Sequence, residues 1–352
     1  MLRVSLIVAT LGERPDDIRA LLRSLIPQVR FISDVIVVDQ HPDPGRLPAI
    51  LHEFRDVLPT RHVRSERGLS RARNHGLTFA TGGLVAFPDD DCVYPDGLLE
   101  WVVNWFESNV EYDILAVGAR DAAGVPSGNR WPQDSCDIKP LNAFRTTFSS
   151  SLFLCTDLAQ SAKFDVQLGL GAGTPFGSGE ETDYVLRLLR RDARGRFDRS
   201  RHIVHPRRDM LSGTASASRA QAYGFGMGHV LRLNSLRALW ISFIAYNLAR
   251  AGLVLFRGKL EASRLCLAQT KGLWRGFRAP DSAPAEGSSE HDRARRLGVP
   301  GASDHQLIQF PHPQDALCQE PPAQAVLNGA TVLHSGNEGV QLYDRSSLGQ
   351  WQ

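Results

Sequence analysis

The chain has 352 residues, is 42% hydrophobic, 22% charged and 8% aromatic, and carries 40 Lys+Arg against 38 Asp+Glu. These proportions are those of a soluble globular protein of one large or two ordinary domains, and they exclude wholesale disorder, collagen-like repeats and a polytopic membrane protein. The near balance of charge argues against a nucleic-acid binder, and five scattered cysteines without a CxxC argue against a disulfide framework or a zinc knuckle and fit a reducing cytoplasm.

Residues 4–11 are too few for a signal-peptide core, and acids follow at once. Residues 3–10 read instead as a buried parallel strand, β-branched and nearly unbroken. Pro15, with Asp16 and Asp17 behind it, opens a helix whose Ile18, Leu21, Leu22 and Leu25 share one face. Residues 34–39 form a second buried strand that ends in a carboxylate. A weaker helix (47–58), a short strand (61–63) and a helix (70–80) follow. A strand at 83–87 then runs into Asp89, Asp90 and Asp91. This alternation predicts an α/β fold, a mostly parallel central sheet flanked by helices and linked by right-handed crossovers. Ligands in such sheets lie beyond the carboxyl ends of the strands, so Asp39 and the acidic triplet are expected to face one crevice.

Further strands are expected at 114–119 and 149–155, separated by a polar insert at 121–137. The Gly-rich loop 169–179 supplies backbone mobility or close approach to a ligand, and a helix at 180–191 follows it. Residues 187–278 hold 19 Lys+Arg against 4 Asp+Glu. A basic segment beside an apolar run is the footprint of an anionic membrane surface. Residues 236–256 are apolar apart from Arg237, Asn247 and Arg250, yet their longest uncharged stretch, 238–249, is too short to span ~30 Å of hydrocarbon. The segment reads as an interfacial or re-entrant helix, with a second, amphipathic helix at 259–277. The domain reading is therefore 1–235 for the α/β domain, 236–278 for an interfacial helical hairpin, and 279–352 for a disordered tail rich in Pro, Ser, Gly, His and Gln.

Three carboxylates at a strand end repel one another unless a cation lies among them, and oxygen ligands of this kind suit Mg²⁺ or Mn²⁺. The glycine turn at Gly68 leads into a helix and offers N–H groups to an anion, with Arg71 and Arg73 as charge-assisted phosphate donors. Glu180, Glu181 and Asp183 open the helix after the Gly-rich loop, as dipole-complementing acids or as a general base at a cleft mouth. His205 is a metal-ligand candidate or a structural histidine.

In this order the pieces resemble a family 2 glycosyltransferase of GT-A fold, and the segment 223–231 before an apolar helix is similar to exopolysaccharide-type members. The segments that carry the resemblance are 4–10, Val35 to Asp39, Gly68 to Asn74, Phe87 to Cys92, Gly179 to Asp183 and Val204-His205. The resemblance covers roughly residues 1 to 235. It implies a nucleotide-sugar site of Thr10, Glu13, Asp39, Arg71, Arg73, Asn74, Asp89 and Asp90. It also implies a divalent metal, Mn²⁺ or Mg²⁺, on Asp91 with Asp89 and His205, and a base among Glu181, Glu180 and Asp183, with Glu181 aligned to the usual one. Many members carry a second acid after Asp39, where this chain has Gln40.

The implied activity is inverting transfer from a UDP-linked sugar to a hydroxyl of a glycan or lipid-linked acceptor, in cell-surface polysaccharide biosynthesis. The expected location is cytoplasmic, peripheral on the inner membrane face, with no nucleic-acid partner. Two rivals stand beside it. One is a degenerate, non-catalytic membrane assembly protein. The other is a sugar-nucleotide nucleotidyltransferase, which would want a longer, basic loop after the first strand than 11–15 provides.

Overall fold

The computed structural model describes residues 1–207 and 215–280. Strand β1 (Val4–Thr10) is buried on both faces, which is why its sequence is unbroken rather than alternating. Helix α1 (Pro15–Leu25) begins at its proline and buries Ile18, Leu21, Leu22 and Leu25. Then come β2 (Ile32–Asp39), α2 (Arg46–His52), β3 (Thr60–Arg64), α3 (Leu69–Leu77), β4 (Leu84–Ala86), α4 (Leu98–Ser108) and β5 (Ile114–Arg120). The chain continues through β6 (Cys136–Ile138), α5 (Ala143–Thr146), β7 (Leu152–Cys155), α6 (Thr156–Gln160), α7 (Glu180–Leu189) and β8 (Gly195–Val204). Three helices close the described region: α8 (Ala215–Leu233), α9 (Arg237–Phe256) and α10 (Leu260–Arg278).

The eight strands form one sheet in the order β3-β2-β1-β4-β7-β5-β8-β6. Its first four strands are parallel, but β7 enters antiparallel between β4 and β5, and β6 lies antiparallel on β8. The sheet is therefore mixed but mostly parallel, as expected: six strands run in one direction and only β7 and β6 run against them. Alternate residues feed two cores: Val35 and Val37 pack toward α1 and α4, while Ile36 and Val38 face α3 and α7.

Several boundaries differ from the sequence expectation. The helix expected over 47–58 ends at His52, and residues 149–151 are a 3₁₀ turn before β7. Strand β8 was not expected, since GRFDRSRHIV carries five charged or histidine side chains. It is kept in the sheet by pairing with β5 on one side and β6 on the other. Helix α4 also escaped the reading, although Leu98, Leu99, Val102, Val103 and Phe106 form its buried face.

The C-terminal hairpin is built differently from two equivalent interfacial helices. Helix α10 lies against α8 so closely that a Cβ on Gly276 would come within 1.9 Å of the Phe225 carbonyl oxygen, and one on Gly272 within 2.1 Å of that of Gln221. Helix α9 covers 20 residues and is long and apolar enough to cross a membrane by length and composition, with only 11% of its apolar window buried. The helix therefore exceeds the stretch 238–249, because it continues past Arg250 to Phe256. The expected tail at 279–352 lies outside the described residues from 281 onward.

Candidate active site

The parallel half of the sheet brings its strand ends together. β1 and β2 pair with Thr10 opposite Asp39, and β4 beside β1 directs residues 87–91 over the same edge. Thr10 Oγ1 donates to Asp90 Oδ2 at 2.5 Å, joining residues 80 apart in the chain. This contact ties the end of β1, opposite Asp39, to the acidic triplet.

Asp89, Asp91 and His205 are the one group among the described residues that could hold a metal ion, with ligand atoms within 4.8 Å of one another. His205 Nε2 lies 3.5 Å from Asp91 Oδ1 and 3.9 Å from Asp89 Oδ2. The backbone of His205 is fixed at the end of β8: its N–H donates to the Arg120 carbonyl at 2.8 Å, and its carbonyl accepts from Ser127 Oγ at 2.8 Å. The Phe148 ring meets the imidazole edge-on at 5.0 Å. Two carboxylate oxygens and one imidazole nitrogen are a donor set that fits Mn²⁺ or Mg²⁺. Burial holds the Asp90 carboxyl above its usual range, and the neighbouring Asp91 and Asp89 push the same way, while Thr10 and Arg14 oppose them.

Arg73 is 2% exposed at its side chain. Its guanidinium donates to Asp89 Oδ1 at 3.2 Å, Ser149 Oγ at 2.8 Å and Glu180 Oε1 at 3.1 Å. It therefore stands between the acidic triplet and α7, where the sequence reading placed it at the phosphates. Arg71 is half exposed and pairs with Glu66 at 2.8 Å. Two of the N–H groups expected to face an anion at the start of α3, those of Gly68 and Leu69, are already used. Gly68 N–H donates to Gln40 Oε1 at 2.8 Å and Leu69 N–H to the Leu170 carbonyl at 3.0 Å, because the Gly-rich loop packs on that helix end. Asn74 makes a two-way tie to the Phe164 backbone, at 2.8 and 2.7 Å. Glu13 is exposed.

Asp39 has no exposed side-chain surface. It accepts from Arg64 Nη1 at 2.8 Å, from His62 Nε2 at 3.1 Å and from the His41 N–H at 2.8 Å. The half-exposed Arg64 and His62 cover it. Neither residue carries a local signal of this contact; the β2–β3 register, Asp39↔Arg64, is what brings Arg64 there.

Three acids open α7, and the structure separates them. Glu180 is paired with Arg73, and Asp183 with Arg187 at 2.8 Å and with the Asn234 amide at 3.2 Å. Among the described residues, no side chain forms a hydrogen bond or ion pair with the Glu181 carboxylate. The residue keeps some surface, but its carboxyl is enclosed by protein and lies beside Glu180, so its pKa is pushed up to about 8. Gly169, at φ +94°, allows the loop to pass the Glu180 carboxylate; a Cβ there would lie 3.0 Å from it.

Arg14 was missed altogether. It immediately precedes α1, and its two terminal nitrogens bind Asp90 and Asp91. The two carboxylates are 76 and 77 residues away in sequence, and no local pattern signals such a contact.

Residues 5–161 match the family model "Glycosyl transferase family 2". This segment is a family 2 glycosyltransferase domain. The chain is 27% identical over 146 residues to the minor teichoic acid biosynthesis protein GgaB of Bacillus subtilis, covering 39% of this chain and 16% of GgaB. It is 27% identical over 141 residues to the amylovoran biosynthesis glycosyltransferase AmsE of Erwinia amylovora, covering 39% of this chain and 53% of AmsE. The matches thus span well under two thirds of either relative.

Among solved structures, S. aureus TarS 1-349 in complex with UDP-GlcNAc superposes with a TM-score of 0.51 at 20% identity, covering 67% of this chain and 66% of that one. The mannosyltransferase PcManGT from Pyrobaculum calidifontis, in complex with GDP-Man and Mn²⁺, gives 0.52 at 18% identity, covering 78% and 87%. At these identities the likeness is one of fold, and the fold is GT-A. The family match ends at residue 161, so Glu181 and His205 stand beyond it and are placed by the structure alone.

Proposed function

We propose that this glycosyltransferase moves a sugar, with inversion, from a UDP-linked donor to a hydroxyl of a glycan or lipid-linked acceptor, in cell-surface polysaccharide biosynthesis. The observation that carries the reading is the convergence of Asp89, Asp91 and His205 at the strand ends occupied by Thr10 and Asp39, with Glu181 on the adjoining helix start. GgaB is a minor teichoic acid biosynthesis protein, AmsE an amylovoran biosynthesis glycosyltransferase, and the TarS 1-349 structure is a complex with UDP-GlcNAc.

In this reading Asp39 holds Arg64 and His62 at the nucleoside end of the donor. Asp91, with Asp89 and His205, holds a divalent ion that supplies Lewis-acid neutralisation of the leaving diphosphate. Thr10 fixes Asp90 near the sugar or ribose. Arg73 keeps Asp89 and Glu180 in register. Glu181 takes the proton of the acceptor hydroxyl as its oxygen attacks C1, the bond from C1 to the diphosphate oxygen breaks, and the nucleoside diphosphate departs. The Gly-rich loop, resting on α3, excludes water from the donor.

We place the chain on the cytoplasmic face of the inner membrane as a peripheral protein. Helix α9 exposes Ile241, Leu248, Leu253 and Phe256. At its start, Arg232, Arg237, Arg278, Trp240 and Phe277 line an open pocket of about 460 Å³, a basic and aromatic surface suited to anionic headgroups.

The test is calorimetric binding of UDP and GDP, with and without Mn²⁺, to wild type and Asp91→Ala. Mn²⁺-dependent UDP binding that is lost in the variant supports the donor site. No nucleotide binding by folded wild type would move the weight to a degenerate, non-catalytic protein.

A further inference from the structure

Among the described residues, Arg14 and Arg73 reach the acidic triplet, and their surroundings differ. Arg73 is almost fully enclosed and tied to three acceptors. Arg14 is 40% exposed and binds Asp90 and Asp91 with its two terminal nitrogens. Its backbone is anchored in α1, where the Arg14 carbonyl accepts from the Ile18 N–H at 3.1 Å. The side chain can therefore turn toward solvent without disturbing the helix start.

Asp91 is the shared group. Its Oδ2 meets Arg14, while its Oδ1 faces His205 Nε2 at 3.5 Å. A cation held by Asp89, Asp91 and His205 would draw on the same carboxylate as Arg14. That carboxylate is 1% exposed, so two positive charges on it are poorly screened from each other, and each weakens the hold of the other. The planar fork that fits two carboxylates also fits two phosphate oxygens. Asp90, by contrast, keeps its Thr10 hydrogen bond whatever Arg14 does.

Resting on the reading of Asp89, Asp91 and His205 as a divalent-cation site, we infer that Arg14 is an exchangeable internal cation of the acidic triplet, which releases Asp91 as the metal binds and takes up the diphosphate of the donor. Metal and nucleotide then bind with positive coupling, because the diphosphate offers the displaced guanidinium a second anion. The same residue sets how weakly the protein holds metal before the donor arrives.

The experiment is Mn²⁺ titration of the full chain, by calorimetry or by loss of the free-Mn²⁺ electron-spin signal, for wild type, Arg14→Met and Arg14→Lys, each with and without UDP. Arg14→Met is expected to bind Mn²⁺ alone on the order of tenfold tighter than wild type, a typical size for a coupling between sites. UDP should then improve its Mn²⁺ affinity less than it does for wild type, and Arg14→Lys, which keeps the charge, should stay near wild type. Should Arg14→Met lose its circular-dichroism signal, Arg14→Gln carries the same expectation. Unchanged or weaker Mn²⁺ binding by the neutral variants, with wild type binding Mn²⁺ in the presence of UDP, overturns the role of Arg14 and leaves the metal site standing. No Mn²⁺ binding by wild type even with UDP overturns the metal site and this inference with it.

Discussion

Arg73 and Glu180, 107 residues apart in the chain, form a buried ion pair of 3.1 Å with side-chain exposures of 2% and 9%. The pair fastens α7 to α3, and through the second arm of Arg73 to Asp89. Removing one partner leaves a buried charge without compensation, which typically costs about 3–5 kcal/mol. Arg73→Met should therefore lower urea stability by an amount of that order, and Arg73→Met combined with Glu180→Gln should recover a large part of it. A single variant as stable as wild type would show that the pair does not hold the two helices.

Glu181 gives a pH dependence whose sign can be worked out. Its folded pKa is pushed up to about 8, above its ordinary carboxylate value near 4.5, by burial and by Glu180. Between those two values the folded protein holds a proton that the unfolded chain does not. This contribution is fully present below about pH 4.5 and falls away as the pH rises toward 8, with a slope of at most about 1.4 kcal/mol per pH unit. Glu181→Gln should flatten that part of the stability profile, measured by urea unfolding at several pH values. As a base, Glu181 must be ionised, so kcat/KM should rise with pH toward a plateau above about 8. Donor binding should persist in Glu181→Gln while transfer is lost. An unchanged turnover would refute the assignment.

Helix α9 provides a third test. Paired Ile241→Asp and Leu248→Asp changes alter residues that are 59% and 48% exposed, so the fold should tolerate them. Flotation with vesicles containing phosphatidylglycerol should fall several-fold relative to wild type, because charged groups replace apolar surface at the interface. Mn²⁺-dependent UDP binding should be unaffected. Equal flotation of variant and wild type would remove α9 as the membrane contact.

Much of the fold was legible from local pattern. The unbroken apolar runs at β1 and β2, the proline start of α1 and the one-sided leucines after it all express burial that neighbouring residues share. Strand β8 was not legible, since a charged strand next to a sheet edge is stabilised by its partners rather than by its own composition. The acidic triplet and His205 could be selected as candidates because each residue type carries its chemistry with it.

The sequence by itself determined which groups are available: a cation-seeking acidic triplet, acids opening a helix after a glycine loop, and a basic, apolar C-terminal region. Only the tertiary structure decided how they are spent. Arg73 became an internal strut, the first N–H groups of α3 were claimed by Gln40 and Leu170, and Asp39 was covered by Arg64 and His62. Arg14 entered the site from a loop that reads as ordinary surface. The physical reason is that charge pairing acts through space over a few ångströms. The residues it joins here are separated by 23 to 107 positions of chain, and no periodicity records that distance.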